Sequence, residues 1–156
     1  MSYQKMIEEY LAGPDILRKA VAAMTQDQLL ARPVPGKWST LEVVCHIADF
    51  EIVYADRIKR VIAEDEPTLF GGNPDLFTAR LAYHNRDLED ELRLIELVRK
   101  QVAGILDALK ESDFQRHGIH SEYGPLTLET ILQRVTGHIP HHVRFVEEKR
   151  KAMGLD

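Results

Sequence analysis

Four stretches of this chain repeat apolar residues at helical spacing, and each stretch is bounded by residues that a helix cannot absorb. The second shows the pattern most plainly, with Val43, Ile47, Phe50, Tyr54, Ile58 and Val61-Ile62 recurring every three or four positions. Ser39 followed three residues later by Glu42 forms a capping box at its start. The connector before it, Arg32-Pro33-Val34-Pro35-Gly36-Lys37, cannot continue a helix, and neither can the Asp65–Pro74 segment with two prolines and Gly71-Gly72. The first stretch runs over 3–24, with a kink or restart expected at Gly13-Pro14 and a short capped turn following from Thr25. The third covers 75–110, with a break expected near His84–Asp87, and its later half carries Leu88, Leu92, Ile95, Val98, Val102, Ile105 and Leu109 on one face. The fourth starts after a Thr127 cap, covers 128–153 and stops at Gly154. No convincing period-2 run appears, so Ser112–Pro125 reads as a polar loop. Core helices at 3–24, 40–63, 75–110 and 128–153 predict an all-α four-helix bundle.

A chain of 156 residues, 44% apolar and 29% charged, suits one globular domain spanning 1–156. The longest unbroken apolar run, Ala20–Met24, is far too short to span a membrane. The opening residues Met1-Ser2-Tyr3-Gln4-Lys5 lack the apolar stretch of a secretory signal. Cys45 is the single cysteine, which excludes an internal disulfide and a cysteine-based zinc cluster. A cytoplasmic protein is expected. The net charge of −5 with no basic block gives no electrostatic support for a nucleic-acid partner.

Seven histidines are unevenly placed. In the last helix the apolar stripe reads Ile131, Val135, His138, Ile139, His142, Phe145, Val146, so two imidazoles occupy core positions one turn apart. His46 sits on the inward side of the second helix. A single inward histidine is most often a core residue satisfied by a hydrogen bond. A pair spaced four apart is harder to satisfy that way, and a divalent cation satisfies several rings at once. The intervening Ile139, Pro140 and His141 supply no glutamate base, so the pair is less specific than His-Glu-x-x-His. His84, His117 and His120 read as solvated, Cys45 as a buried inert thiol. Trp38 reads as a staple at the helix start.

The strings Gly36-Lys37-Trp38-Ser39 and Val43-Val44-Cys45-His46-Ile47-Ala48-Asp49 resemble the second-helix signature of the DinB-like/YfiT-like metalloenzyme superfamily, relatives of bacillithiol S-transferases and mycothiol-dependent maleylpyruvate isomerases. Gly124-Pro125-Leu126-Thr127-Leu128, the His138-Ile139-Pro140-His141-His142 block and the closing Arg150-Lys151-Ala152-Met153-Gly154 resemble the same family. The resemblance implies an up-down-down-up bundle, often a homodimer. It also implies one divalent ion on His46, His138 and His142, the residues that periodicity places inward. The chain departs from the family at Pro140, which removes a backbone hydrogen bond to Thr136, is expected to kink the helix, and makes His141 a competitor of His142. Phe145 stands where some relatives carry a polar side chain.

Three neutral imidazoles leave an ion largely uncompensated and at least one position open, a catalytic rather than a structural pattern. Imidazole suits Zn or Ni first, with Fe or Co also admissible. Asp49, one turn from His46, is the candidate supporting carboxylate or general base. Arg57 is read as a salt-bridge residue or as a cleft residue holding an anionic substrate. The resemblance implies a thiol S-transferase or isomerase acting on a small-molecule substrate with a low-molecular-weight thiol. The alternatives are a metal-dependent hydrolase and a non-catalytic bundle that binds metal or a small ligand.

Overall fold

The computed structural model describes residues 2–155, so Met1 and Asp156, the two ends of the expected 1–156 domain, lie outside the described residues. Four long helices form the body: α1 (Tyr3–Ala20), α3 (Thr40–Ala63), α5 (Leu88–Leu106) and α6 (Leu128–Ala152). Short helices α2 (Gln26–Leu30) and α4 (Pro74–Arg80) lie in the connections, with single 3₁₀ turns at Tyr83–Asn85 and Glu111–Gln115. None of the described helices is long and apolar enough to cross a membrane.

Caps set the helix boundaries. Ser39 Oγ accepts from the Glu42 amide and the Glu42 carboxylate accepts from the Ser39 amide, each at 3.1 Å, closing the expected capping box. Thr127 accepts from the Thr130 amide at the start of α6. The second and fourth stretches therefore match their expected ranges to within a residue. The first ends four residues early, at Ala20, where the chain turns through Ala23 in the left-handed region (φ 61°). Gly13-Pro14 does not interrupt α1, and Pro140 does not break α6. The third stretch is broken as expected, into α4 and α5, but the break already opens at Leu81 and α5 ends at Leu106, four residues early. The left-handed Ala82 (φ 53°) redirects the chain, and Asp87 then caps α5 through the Asp90 amide.

The segment expected to be a loop, Ser112–Pro125, contains a strand pair. Strand β2 (His117–His120) pairs antiparallel with β3 (Gly124–Thr127), and β1 (Thr68–Leu69) adds parallel to β2. These strands are two to four residues long, too short for a period-2 pattern to be read in sequence.

Two buried clusters fix the helix directions. One joins Met6 and Tyr10 from the start of α1 with Ile58 and Val61 from the end of α3, Val102 and Leu106 from the end of α5, and Ile131 and Val135 from the start of α6. The other joins Leu17 and Val21 after the first cluster's α1 residues with Val44 and Ile47, Leu92 and Ile95, and Ile139 and Val146. Hence α3 and α5 run together, against α1 and α6, which is the up-down-down-up order. Between the clusters lies a buried ion pair. Arg99 Nη2 donates to Glu51 at 2.5 Å and to the Val135 carbonyl at 2.9 Å, and Nη1 donates to the Tyr10 carbonyl at 2.6 Å. One guanidinium thus ties α5 to each of the other three helices.

Candidate metal centre

His46 lies two turns into α3, and His138 and His142 straddle the middle of the antiparallel α6, so the three rings meet where the two helices face each other. The inward placement follows from register. Each histidine occupies a position in an apolar stripe whose neighbours, Val43, Ile47, Val135 and Ile139, are buried in the core. His46 Nε2 stands 3.0 Å from His138 Nε2 and 3.0 Å from His142 Nε2. One ligand atom from each of the three falls within 4.8 Å of the others.

The proton inventory of this trio points to a cation. Burial is the main cause that drives all three rings toward neutrality, pulling His46 to about 4, His142 to about 3 and His138 to about 2. Each neutral ring carries one proton. If His46 carries it on Nε2, that proton reaches one neighbour, while the protons of His138 and His142 sit on Nδ1. All three Nδ1 atoms are buried without a hydrogen-bond partner. If all three protons sit on Nδ1, three Nε2 lone pairs face one another unshielded. A divalent ion removes the conflict by taking all three lone pairs. Nitrogens 3.0 Å apart both lie within roughly 2.1 Å of a common point, the usual metal–imidazole distance. The cluster can coordinate a metal, and its imidazole donors suit several transition ions.

Aromatic rings wall the site. The Phe50 ring lies 4.7 Å and the Trp38 ring 5.1 Å from His46, and Tyr54 lies 6.0 Å from His138. The centre opens into a cleft of about 860 Å³ bounded by α3, α6, the Gly71–Pro74 stretch and the β2–β3 turn.

The other sequence candidates separate. His141 is exposed, 3.3 Å from Arg144 through Nδ1, and stands at the cleft margin apart from the three-histidine cluster. The unbroken α6 keeps the register that points His142 inward. Asp49 is one turn from His46, but both its oxygens accept from Arg86, at 2.7 and 3.0 Å, and its charge acts on His46 only through space. Cys45 is fully buried and donates weakly to the Tyr83 carbonyl at 3.6 Å, with burial raising its pKa to about 12. His117 is partly exposed and 2.9 Å from Glu66. His120, expected in solvent, is 4% exposed and lines the cleft, because pairing of β2 carries it inward. Arg57 forms no ion pair among the described residues and faces the cleft. Its signal in the sequence is its spacing of 11 from His46, three turns along the same face.

Comparison with known proteins agrees with this geometry. A protein of Geobacillus thermodenitrificans named "Putative metal-dependent hydrolase" is 30% identical over 156 residues, covering 95% of this chain and 86% of its own length. A Bacillus licheniformis protein of the same descriptive name is 26% identical, covering 97% and 86%. The solved structure of YfiT from Bacillus subtilis, described as "a probable metal-dependent hydrolase with an unusual four-helix bundle topology", superposes with a TM-score of 0.92 at 25% identity, over all of this chain and 91% of its own. A DinB-like Bacillus subtilis protein shares the fold at a TM-score of 0.67 and 19% identity. Residues 9–146, which include all three clustered histidines, match the sequence profile of the DinB superfamily, and with that span and the 30% relative the chain belongs to this family.

Proposed function

We propose that this protein is a metal-dependent hydrolase in which His46, His138 and His142 hold one divalent ion at the head of the cleft. The observation that carries the proposal is the convergence of three neutral imidazole nitrogens whose opposite nitrogens are all orphaned. The names of the relatives support hydrolysis over thiol transfer. A bound ion in such a site supplies Lewis acidity and an acidified water. The chain's own groups do the rest. Trp38 and Phe50 shield the His46 ring from bulk solvent, which strengthens electrostatics at the centre. Asp49, held by Arg86, adds negative charge beside His46 and favours retention of a cation there. Its pairing with Arg86 occupies both carboxylate oxygens, so it is not read as the base.

Elemental analysis of the purified protein tests the centre. One equivalent of a transition ion is expected in the wild type and in His141→Ala and His117→Ala, with a strong loss in His46→Ala, His138→Ala and His142→Ala. Full metal content in all three ligand variants, or none in the wild type, refutes the centre. Incubating the metal-loaded protein with activated esters and amides in water, and separately with a low-molecular-weight thiol and an alkylating electrophile, separates hydrolase from S-transferase. Metal-dependent turnover only in the thiol arm overturns the hydrolase reading and favours the transferase that the family resemblance implies.

A further inference from the structure

The floor of the cleft is one face of α3. His46, Phe50, Tyr54 and Arg57 follow at steps of four, four and three, which brings Arg57 back to within about 20° of the direction of His46 after three turns. The Cα positions of His46 and Arg57 are then roughly 16 Å apart along the axis. Two aromatic rings fill the interval. Phe50 stacks near His46, and Tyr54 sits 5.2 Å beneath the Arg57 guanidinium.

Among the described residues, Arg57 is the only lysine or arginine lining this cleft. It is 8% exposed. Its Nη2 donates to the Phe70 carbonyl at 2.6 Å, its Nε is buried without a partner, and it forms no ion pair with any described carboxylate. A cation taken out of water without a counterion is costly unless something completes it. His120 lines the same cleft. The His120 Nδ1 accepts from the backbone amides of Glu122 and Tyr123, at 3.1 and 3.4 Å, so the proton of the neutral ring is on Nε2. His120 and Arg57 both line the cleft, so the Nε2–H and the guanidinium border the same space. Glu122 also lines the cleft, but it is exposed and makes no ion pair with Arg57, so solvent screens it.

We propose that the cleft takes an elongated small molecule carrying a carboxylate, with the reacting centre at the three histidines, its middle over Phe50 and Tyr54, and the carboxylate held by the Arg57 guanidinium and the His120 Nε2–H. The planar guanidinium matches a carboxylate and, with the imidazole N–H, offers donors of two kinds to it. This rests on the metal-centre reading above, because the hydrolysable group is placed by the ion and the carboxylate end by Arg57.

A double-ended probe tests the distal grip. Octanedioic acid monohydroxamate carries a metal-binding hydroxamate at one end and a carboxylate at the other, whereas octanohydroxamic acid lacks the carboxylate. By titration calorimetry on the metal-loaded protein, the first binds about ten- to a hundredfold more tightly than the second. Arg57→Gln erases that preference and Arg57→Lys keeps part of it, with octanohydroxamic acid binding reporting that each variant is folded and loaded. Equal affinity of the two probes for the wild type, or a preference that survives in Arg57→Gln, overturns the proposal. If neither hydroxamate binds in a metal-dependent way, the metal reading has failed by itself, and octanoate added to the metal-free protein decides the distal site. A shift of the Arg57 Nε–H resonance in ¹⁵N spectra then supports it, and an unmoved resonance overturns it.

Discussion

Replacing Arg99 by Met removes a side chain that joins all four bundle helices. The wild-type guanidinium is fully buried and makes three hydrogen bonds, to Glu51, the Tyr10 carbonyl and the Val135 carbonyl. Methionine fills much of the volume but leaves two carbonyls without their donor and Glu51 as an unpaired charge that is 0% exposed. Breaking a buried pair from one side costs about 3–5 kcal/mol. For a domain of this size that lowers the melting midpoint by about 10–15 °C. The sign of the pH effect follows from Glu51. Burial pushes its carboxyl above the usual carboxylate range, and the attraction of Arg99 only partly offsets this. A raised folded pKa means that the folded state binds the extra proton, so this contribution is present at low pH and lost as pH rises through the folded value. Without Arg99 the folded value climbs further. Urea denaturation of variant and wild type at pH 8 and pH 5 therefore gives a deficit that shrinks at the lower pH, and taking the difference cancels the titration of the histidines. The double variant Arg99→Met/Glu51→Leu recovers most of the loss, because an apolar pair avoids the desolvation penalty. A deficit below about 1 kcal/mol at pH 8, or a double variant no better than the single, refutes this account.

Two further outcomes follow from the same core. The three clustered histidines have folded pKa values well below the ordinary 6.5, so the unfolded state binds more protons between those values and 6.5, and stability falls as pH drops through that window. Each fully engaged histidine adds about 1.4 kcal/mol per pH unit, so denaturation midpoints of metal-free His138→Ala between pH 6 and 5 fall less steeply than those of the wild type by about that slope. Gly13→Ala is expected to destabilise by about 1–3 kcal/mol despite its better helix propensity, because the new methyl meets Arg99 Nη1 and Ile139; a more stable variant in thermal melts contradicts it.

The bundle and the clustering of the three histidines were legible because both depend on periodicity. His138 and His142 replace core residues in a stripe, and a stripe fixes direction without tertiary information. The Arg99–Glu51 pair left the same kind of trace. Arg99 falls between Ile95 and Val102, and Glu51 between Ile47 and Ala55, so opposite charges stand at core registers of two helices. Reading them as a pair requires knowing that α3 and α5 run side by side, which no local pattern states. His120 was hidden for another reason. Its burial depends on β2 pairing with a two-residue strand 51 positions away, and such short strands leave no alternation to detect. Pro140 is a third case. It removes the bond to Thr136, yet α6 runs on through it, with Ile139, Val143 and Val146 held in the second core cluster, so the register of His142 is kept.

The parallel course of α3 and α5 carries a cost in chain length that serves the site. Helices running in the same direction cannot be joined by a tight turn, so the chain must travel back along the whole bundle between Ala63 and Leu88. That return segment contributes few core residues, chiefly Leu69 and Tyr83, yet its Gly71–Pro74 portion is a wall of the cleft. The three clustered histidines and the cleft wall are thus built from different material. The histidines sit on the packed sides of two long helices, whereas the wall is a length of chain that topology demands and that adds little to the core. Asn73 caps α4 and Gly72 abuts Phe50, but Phe70, Gly71 and Pro74 can change the shape of what enters while the three histidines stay where they are. A library confined to positions 70, 71 and 74 would sample new substrates at little expense in folding.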